Sequence, residues 1–137
     1  MSKPQSDFWE DLADDLRDPD FLREYVRQSV RIATIDRIVN DLDDAREAAG
    51  LAKADLARAA SAEPATIRRL FSSSHVNPTV GTLAELAAVL GLRLTLEPLP
   101  TDEREQLTRS LREGHNPDTR ALAKRLESMR QKRSTPA

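Results

Sequence analysis

Residues 50–71, "GLAKADLARAASAEPATIRRLF", have the outline of two short helices joined by a tight turn. Gly50 is placed to close whatever helix precedes it, because a residue without a Cβ takes the left-handed cap position without steric cost. Pro64 suits the first position of the second helix, where its missing N–H leaves nothing unpaired, and Glu63 stands before it as a cap. Leu56 and Ala60 supply an inner face on the first helix. Ala57 is the small residue where the two helices touch, and Ile67 and Leu70 anchor the second from beneath. Ala65, Thr66, Arg68 and Arg69 are left on or near the outer face.

Upstream, "SDFWEDLADDLR" (6–17) reads as a short amphipathic helix, with Ser6 as its cap and Phe8, Leu12 and Leu16 recurring every four residues. Asp18 and Pro19 open a new helix, striped first by Phe21, Leu22, Tyr25, Val26 and Val30. Ile35, Ile38, Leu42 and Ala45 continue the stripe towards Gly50. Thr34 is able to cap a fresh start, so the pattern allows either one helix or two over 19–49. Downstream, "SSSHVNP" (72–78) is a loop, and Thr79 caps a helix whose Leu83, Leu86, Ala87 and Leu90 face inward until Gly91 stops it. "LRLTLEP" (92–98) then changes period: Leu92, Leu94 and Leu96 alternate with Arg93, Thr95 and Glu97, a strand signal closed by Pro98 and Pro100. A lone strand leaves backbone donors and acceptors unpaired, so it calls for a partner strand from a second copy or another protein. Beyond Pro100, Leu107/Leu111 and Leu122/Leu126/Met129 form two weak helical stripes separated by "GHNPD". They predict a partly helical tail, loosely attached, either solvated or adding phosphate contacts.

The chain has 137 residues, enough for one domain with extensions but not for two full cores. It has no Cys, so disulfides and thiolate chemistry are excluded. No apolar run approaches the ~20 residues that span a bilayer, and the polar, acidic start is unlike a signal peptide. The composition therefore predicts a soluble, cytoplasmic, mainly α protein with no membrane role. Its net charge of −2 hides an asymmetry. Residues 1–50 carry 7 Lys/Arg against 13 Asp/Glu, residues 51–99 carry 5 against 4, and residues 100–137 carry 9 against 6. An acidic head of that kind repels nucleic acid and attracts a basic partner.

His75 and His115, the only two histidines, sit in polar loops without metal-ligand spacing, and no carboxylate pair is accompanied by a nucleophile or a Gly-rich loop. Neither a metal, a cofactor nor an enzyme is expected.

The 50–71 stretch, followed by "NPTVGTLAELAAVLGLRLTLEPL" (77–99), resembles the Cro/repressor-like (XRE) helix-turn-helix family. Within it the chain resembles addiction-module antitoxins of the HigA type, with "LRDPDFLREYV" (16–26) similar to the segment preceding their DNA-binding domain. The resemblance implies a lambda-repressor-like helix-turn-helix domain over 34–98 with its terminal strand, after an acidic helical extension (1–33) and before a basic tail (99–137). It implies a homodimer on double-stranded operator DNA, and a small basic RelE/HigB-like toxin as second partner. A stand-alone repressor without a toxin is the alternative. Lys53, Pro64, Ala65, Thr66, Arg68 and Arg69 become the DNA-binding candidates. Adjacent positions point about 100° apart, so one arginine of the Arg68–Arg69 pair meets a base edge and the other a phosphate, with Arg69 favoured for the groove.

Three positions depart from the family pattern: Lys53 stands where Gln or Ser is common, Ser61 where the turn usually has Gly, and Glu63 near the DNA. Glu63 is tolerable there if it turns back as a cap. Phe8, Trp9, Phe21 and Tyr25, with Leu92, Leu94 and Leu96, are the partner-binding candidates. The aromatics equally suit a structural role, packing the leading helices onto the domain.

Overall fold

The computed structural model describes residues 5–72 and 76–131, with side chains from Asp7 onward. Seven helices follow in order: α1 (Gln5–Asp15), α2 (Pro19–Ala48), α3 (Lys53–Ala59), α4 (Pro64–Ser72), α5 (Val80–Val89), α6 (Thr101–Glu113) and α7 (Thr119–Gln131). α1 already includes Gln5, so it starts ahead of Ser6, whose side chain lies outside the described residues, as does His75. The stretch 19–49 holds a single 30-residue helix, with Thr34 exposed in its middle rather than capping a second one. No Gly or Pro falls between Pro19 and Gly50, and β-branched residues such as Ile32 and Thr34 lower helix propensity without interrupting the hydrogen-bond ladder.

Against the expectation of a single core, the chain divides into two compact units, one of residues 35–96 and one of residues 1–34 with 97–137, each with its own buried core. In the first, Val39 and Leu42 of α2, Leu56 and Ala57 of α3, Ile67 and Leu70 of α4, and Leu83, Leu86 and Ala87 of α5 form a single buried core. Three of its helices end alike. After α2, Gly50 and Leu51 donate back to Glu47 and Arg46; after α5, Gly91 and Leu92 donate to Ala88 and Ala87. After α3 the same pair of bonds runs from Ser61 to Arg58 (3.2 Å) and from Ala62 to Ala57 (2.8 Å). Each motif needs a left-handed residue at its centre, and at the third that residue is Ser61, with φ 53°.

The expected strand is absent: no β-strand occurs among the described residues, and 91–100 has no regular structure. Leu92, Leu94 and Leu96 are all exposed, Leu96 by 99%. A strand exists only as part of a ladder, and among the described residues nothing hydrogen-bonds the backbone of 93–98.

The second unit corrects the expectation of a loosely attached tail. Leu107 of α6 and Leu122, Ala123 and Leu126 of α7 are buried in one core with Leu12 and Leu16 of the first segment and Leu22 and Val26 of α2. Arg23 donates to the carbonyls of Leu111 (3.3 Å) and Arg112 (3.4 Å), satisfying the end of α6 that Gly114 closes at φ 79°. Buried Ser29 accepts from Arg130 Nε at 2.8 Å. At the start of α7, Asp118 Oδ1 accepts from the Ala121 N–H at 3.0 Å. The stripes looked weak because each helix offers only its few inward leucines, which suffice when four helices share one core.

This grouping also changes the charge picture. The unit of 1–34 with 97–137 holds 14 basic and 15 acidic residues, so the segment after Glu97 nearly neutralises the acidic head.

Candidate nucleic-acid interface

α3 starts at Lys53, and Asp55 reaches back from its first turn to accept the Ala52 N–H at 3.0 Å. That bond satisfies a donor at the helix start, a role the sequence pattern did not announce. Leu56 and Ala57 are fully buried, so the small alanine lets α4 approach closely. Ser61 then turns the chain, and α4 begins at Pro64 with the Glu63 carbonyl accepting from Thr66 (3.0 Å) and Ile67 (3.2 Å). Only the Glu63 backbone caps the helix. Its carboxylate makes no bond among the described residues and stays exposed.

Ile67 and Leu70 are buried and Phe71 half-buried, which fixes the inward side of α4. At about 100° per residue, Ala65 and Arg69 lie about 200° either way from Ile67, directly opposite the core. Arg68 and Thr66 fall on the two flanks. All of Pro64, Ala65, Thr66, Arg68 and Arg69 are exposed, and Lys53 is half-buried. The side chains of Lys53, Arg68 and Arg69 make no ion pair or hydrogen bond among the described residues, whereas Arg58 is held by Asp55. Unpaired guanidinium groups on an outward helix face are free to meet phosphate oxygens or the O6 and N7 of guanine. On the far side, Thr79 caps α5 by accepting from the Thr82 N–H at 3.1 Å.

Residues 42–96 match the family described as Helix-turn-helix. This segment is a helix-turn-helix domain of the XRE type. Domains of this type bind DNA in transcriptional regulators, and the match ends at Leu96, the last residue of the unit that carries α3 and α4. No curated protein and no solved structure matches the chain.

Outside the helix-turn-helix domain, the four candidate aromatics divide. Phe8 and Phe21 are each 37% exposed. Trp9 packs against the core of its unit, and Phe8 meets it edge-on at 5.0 Å between centroids. Tyr25 is half-buried: its hydroxyl donates to the Glu127 carboxylate, and the Arg130 guanidinium lies 4.6 Å from its ring centroid. Burial, and then the hydrogen bond to Glu127, push the Tyr25 phenol up to about 12. His115 is exposed, 3.5 Å from the Glu113 carboxylate. No described helix is long and apolar enough to cross a membrane, and no metal-binding cluster occurs among the described residues.

Sequence reading missed one residue of the helix-turn-helix domain. Arg46 gave no signal beyond being a basic residue in the last turn of a helix, yet its side chain is only 12% exposed and ties α2 to the segment before α3 and to α4.

Proposed function

We propose that this chain is the antitoxin of a type II toxin–antitoxin module. It binds operator DNA as a homodimer to repress its own operon, and it neutralises a small basic RelE/HigB-like ribonuclease by direct contact in the cytoplasm. The observation that carries the DNA half is the outward face of α4, where Ala65 and Arg69 stand opposite the core and no carboxylate among the described residues engages Arg68 or Arg69. In this geometry α4 lies in the major groove, Arg69 meets a base edge, and Lys53 and Arg68 meet phosphates on either side.

The homodimer reading rests on residues 92–98. Leu92, Leu94 and Leu96 are exposed, nothing among the described residues hydrogen-bonds the backbone of 93–98, and a second copy of the same segment supplies both the ladder and the apolar cover. The toxin reading rests on the resemblance of 16–26 and 77–99 to HigA-type antitoxins. Phe8 and Phe21, exposed among carboxylates such as Asp7, Asp20 and Glu24, are its contact candidates, while Trp9 and Tyr25 serve the core. Carboxylates around an aromatic anchor suit a basic protein, since the charges speed encounter and the ring supplies affinity.

The test is co-expression with the protein encoded next to this chain's gene. Arg69→Ala should lose repression and keep protection, and Phe8→Ala/Phe21→Ala should do the reverse. Protection lost only together with DNA binding would contradict the separation of the two surfaces, and a neighbour with no toxicity would leave the stand-alone repressor.

A further inference from the structure

Arg46 stands in the last turn of α2, where its guanidinium meets its own helix, the segment just before α3 and Phe71 of α4. Nε and Nη2 each lie 2.9 Å from Asp43 Oδ1 on the same helix, and Nη2 lies 3.6 Å from the Glu47 carboxylate. Nη1 donates to the Leu51 carbonyl at 2.7 Å, while the Arg46 carbonyl accepts the Leu51 N–H at 3.1 Å. Leu51 is therefore gripped from both sides by one residue, immediately before Ala52 and the first turn of α3. The guanidinium carbon also lies 6.0 Å from the centroid of Phe71, near the end of α4.

We infer that Arg46 is a positioning residue for DNA reading: it fixes the start of α3 and the end of α4 on α2, and so sets where Arg69 falls in the groove. The inference rests on α4 being the reading helix. Base recognition tolerates errors of only about half an ångström in the groups that make it, whereas phosphate contacts accept looser geometry. Removing the clamp should thus reduce specific binding and spare non-specific binding. Asp43 and Glu47 already neutralise the guanidinium, which argues against its being a phosphate contact. Lysine cannot substitute, because a point charge on a flexible stem does not serve Asp43, the Leu51 carbonyl and an aromatic face at once.

The experiment measures binding of full-length wild type, Arg46→Ala, Arg46→Lys and Phe71→Leu to the chain's own promoter duplex and to an unrelated duplex, over a range of salt. The helical content of each variant is checked under the same conditions. The ratio of promoter to unrelated affinity should fall about tenfold in Arg46→Ala, the scale of one base contact. Arg46→Lys should not restore it, and Phe71→Leu, which keeps the apolar packing, should lower it in the same direction. Both affinities falling together would mean that Arg46 only stabilises the fold. A salt slope shallower by about 0.9 would mean that it meets a phosphate. Either result overturns the inference, as does an unchanged ratio. A wild type without any preference for the promoter would instead overturn the reading of α4 itself.

Discussion

Replacing Ser61 by Gly should stabilise the protein. Ser61 occupies the left-handed centre of the turn between α3 and α4 at φ 53°, the place that Gly50 and Gly91 hold at φ 71° and 75° after α2 and α5. An L-residue in that conformation costs about 1–2 kcal/mol, from its Cβ crowding the following carbonyl. Glycine removes that cost and adds about 0.5–1 kcal/mol of unfolded-chain entropy, so the net gain is on the order of 0.5–1 kcal/mol. Nothing offsets it, since Ser61 is exposed and its hydroxyl bonds to nothing among the described residues. With a urea m-value of about 2 kcal/mol per molar, the midpoint should rise by roughly 0.3–0.5 M. The probe matters. The only Trp and the only Tyr, Trp9 and Tyr25, belong to the other unit, so far-UV circular dichroism is the suitable signal and fluorescence is not. Ser61→Val, β-branched at the same φ, should move the midpoint down. A glycine variant no more stable than wild type would refute the argument that the turn holds strain.

Ending the chain at Pro100 should abolish the cooperative transition seen by Trp9 fluorescence, because it strips Leu107, Leu122, Ala123 and Leu126 from the core that Trp9 covers. Leu122→Ala, at a fully buried site, should cost about 2–5 kcal/mol in the same assay. Gly114→Ala should lower the melting temperature, since its Cβ would stand 2.9 Å from Arg23 Cζ in a backbone conformation at φ 79°. At high pH the sign follows from Tyr25. Its folded pKa of about 12 exceeds the ordinary tyrosine value of 10.0, so its contribution is fully present below pH 10 and is lost as pH rises towards 12. Tyr25→Phe should flatten the pH dependence of the melting temperature in that window.

What the sequence disclosed was mostly local. Gly50, Pro64, Thr79 and Gly91 mark ends of α2, α4 and α5 through a left-handed φ at the glycines, the missing donor of the proline and the capping hydroxyl of the threonine, so these boundaries can be read without tertiary information. Leu56, Ala57, Ile67, Leu70, Leu83 and Leu86 repeat with the helical period and are the core of the helix-turn-helix domain. The misread features depend on partners distant in sequence. Leu107 and Leu126 look weak alone and become core only because Leu12 and Leu22, about a hundred residues earlier, face them. Leu92, Leu94 and Leu96 alternate as a strand does, yet alternation cannot supply the second edge a ladder needs. Arg46 differs, since its partners Asp43, Glu47 and Leu51 are close in sequence, yet nothing in "DDAREAAG" distinguishes a clamped guanidinium from a solvated one. The site's outward face was legible for the opposite reason, since once Ile67 and Leu70 are assigned inward, helical geometry alone puts Ala65 and Arg69 outward.

The most direct measurement of the central claim is fluorescence-anisotropy titration of the chain's own promoter duplex with wild type, Arg69→Ala, Lys53→Ala and the Lys53/Arg68/Arg69 triple alanine variant, at several salt concentrations. Arg69→Ala should cost about 1–3 kcal/mol on the promoter and relax its preference over unrelated DNA. Lys53→Ala should weaken every sequence alike and make the salt slope shallower by about one charge. The triple variant should bind neither duplex measurably while keeping its helical content, since all three groups are solvent-facing or half-exposed. Equal binding of the promoter by wild type and the triple variant would show that α4 does not read DNA.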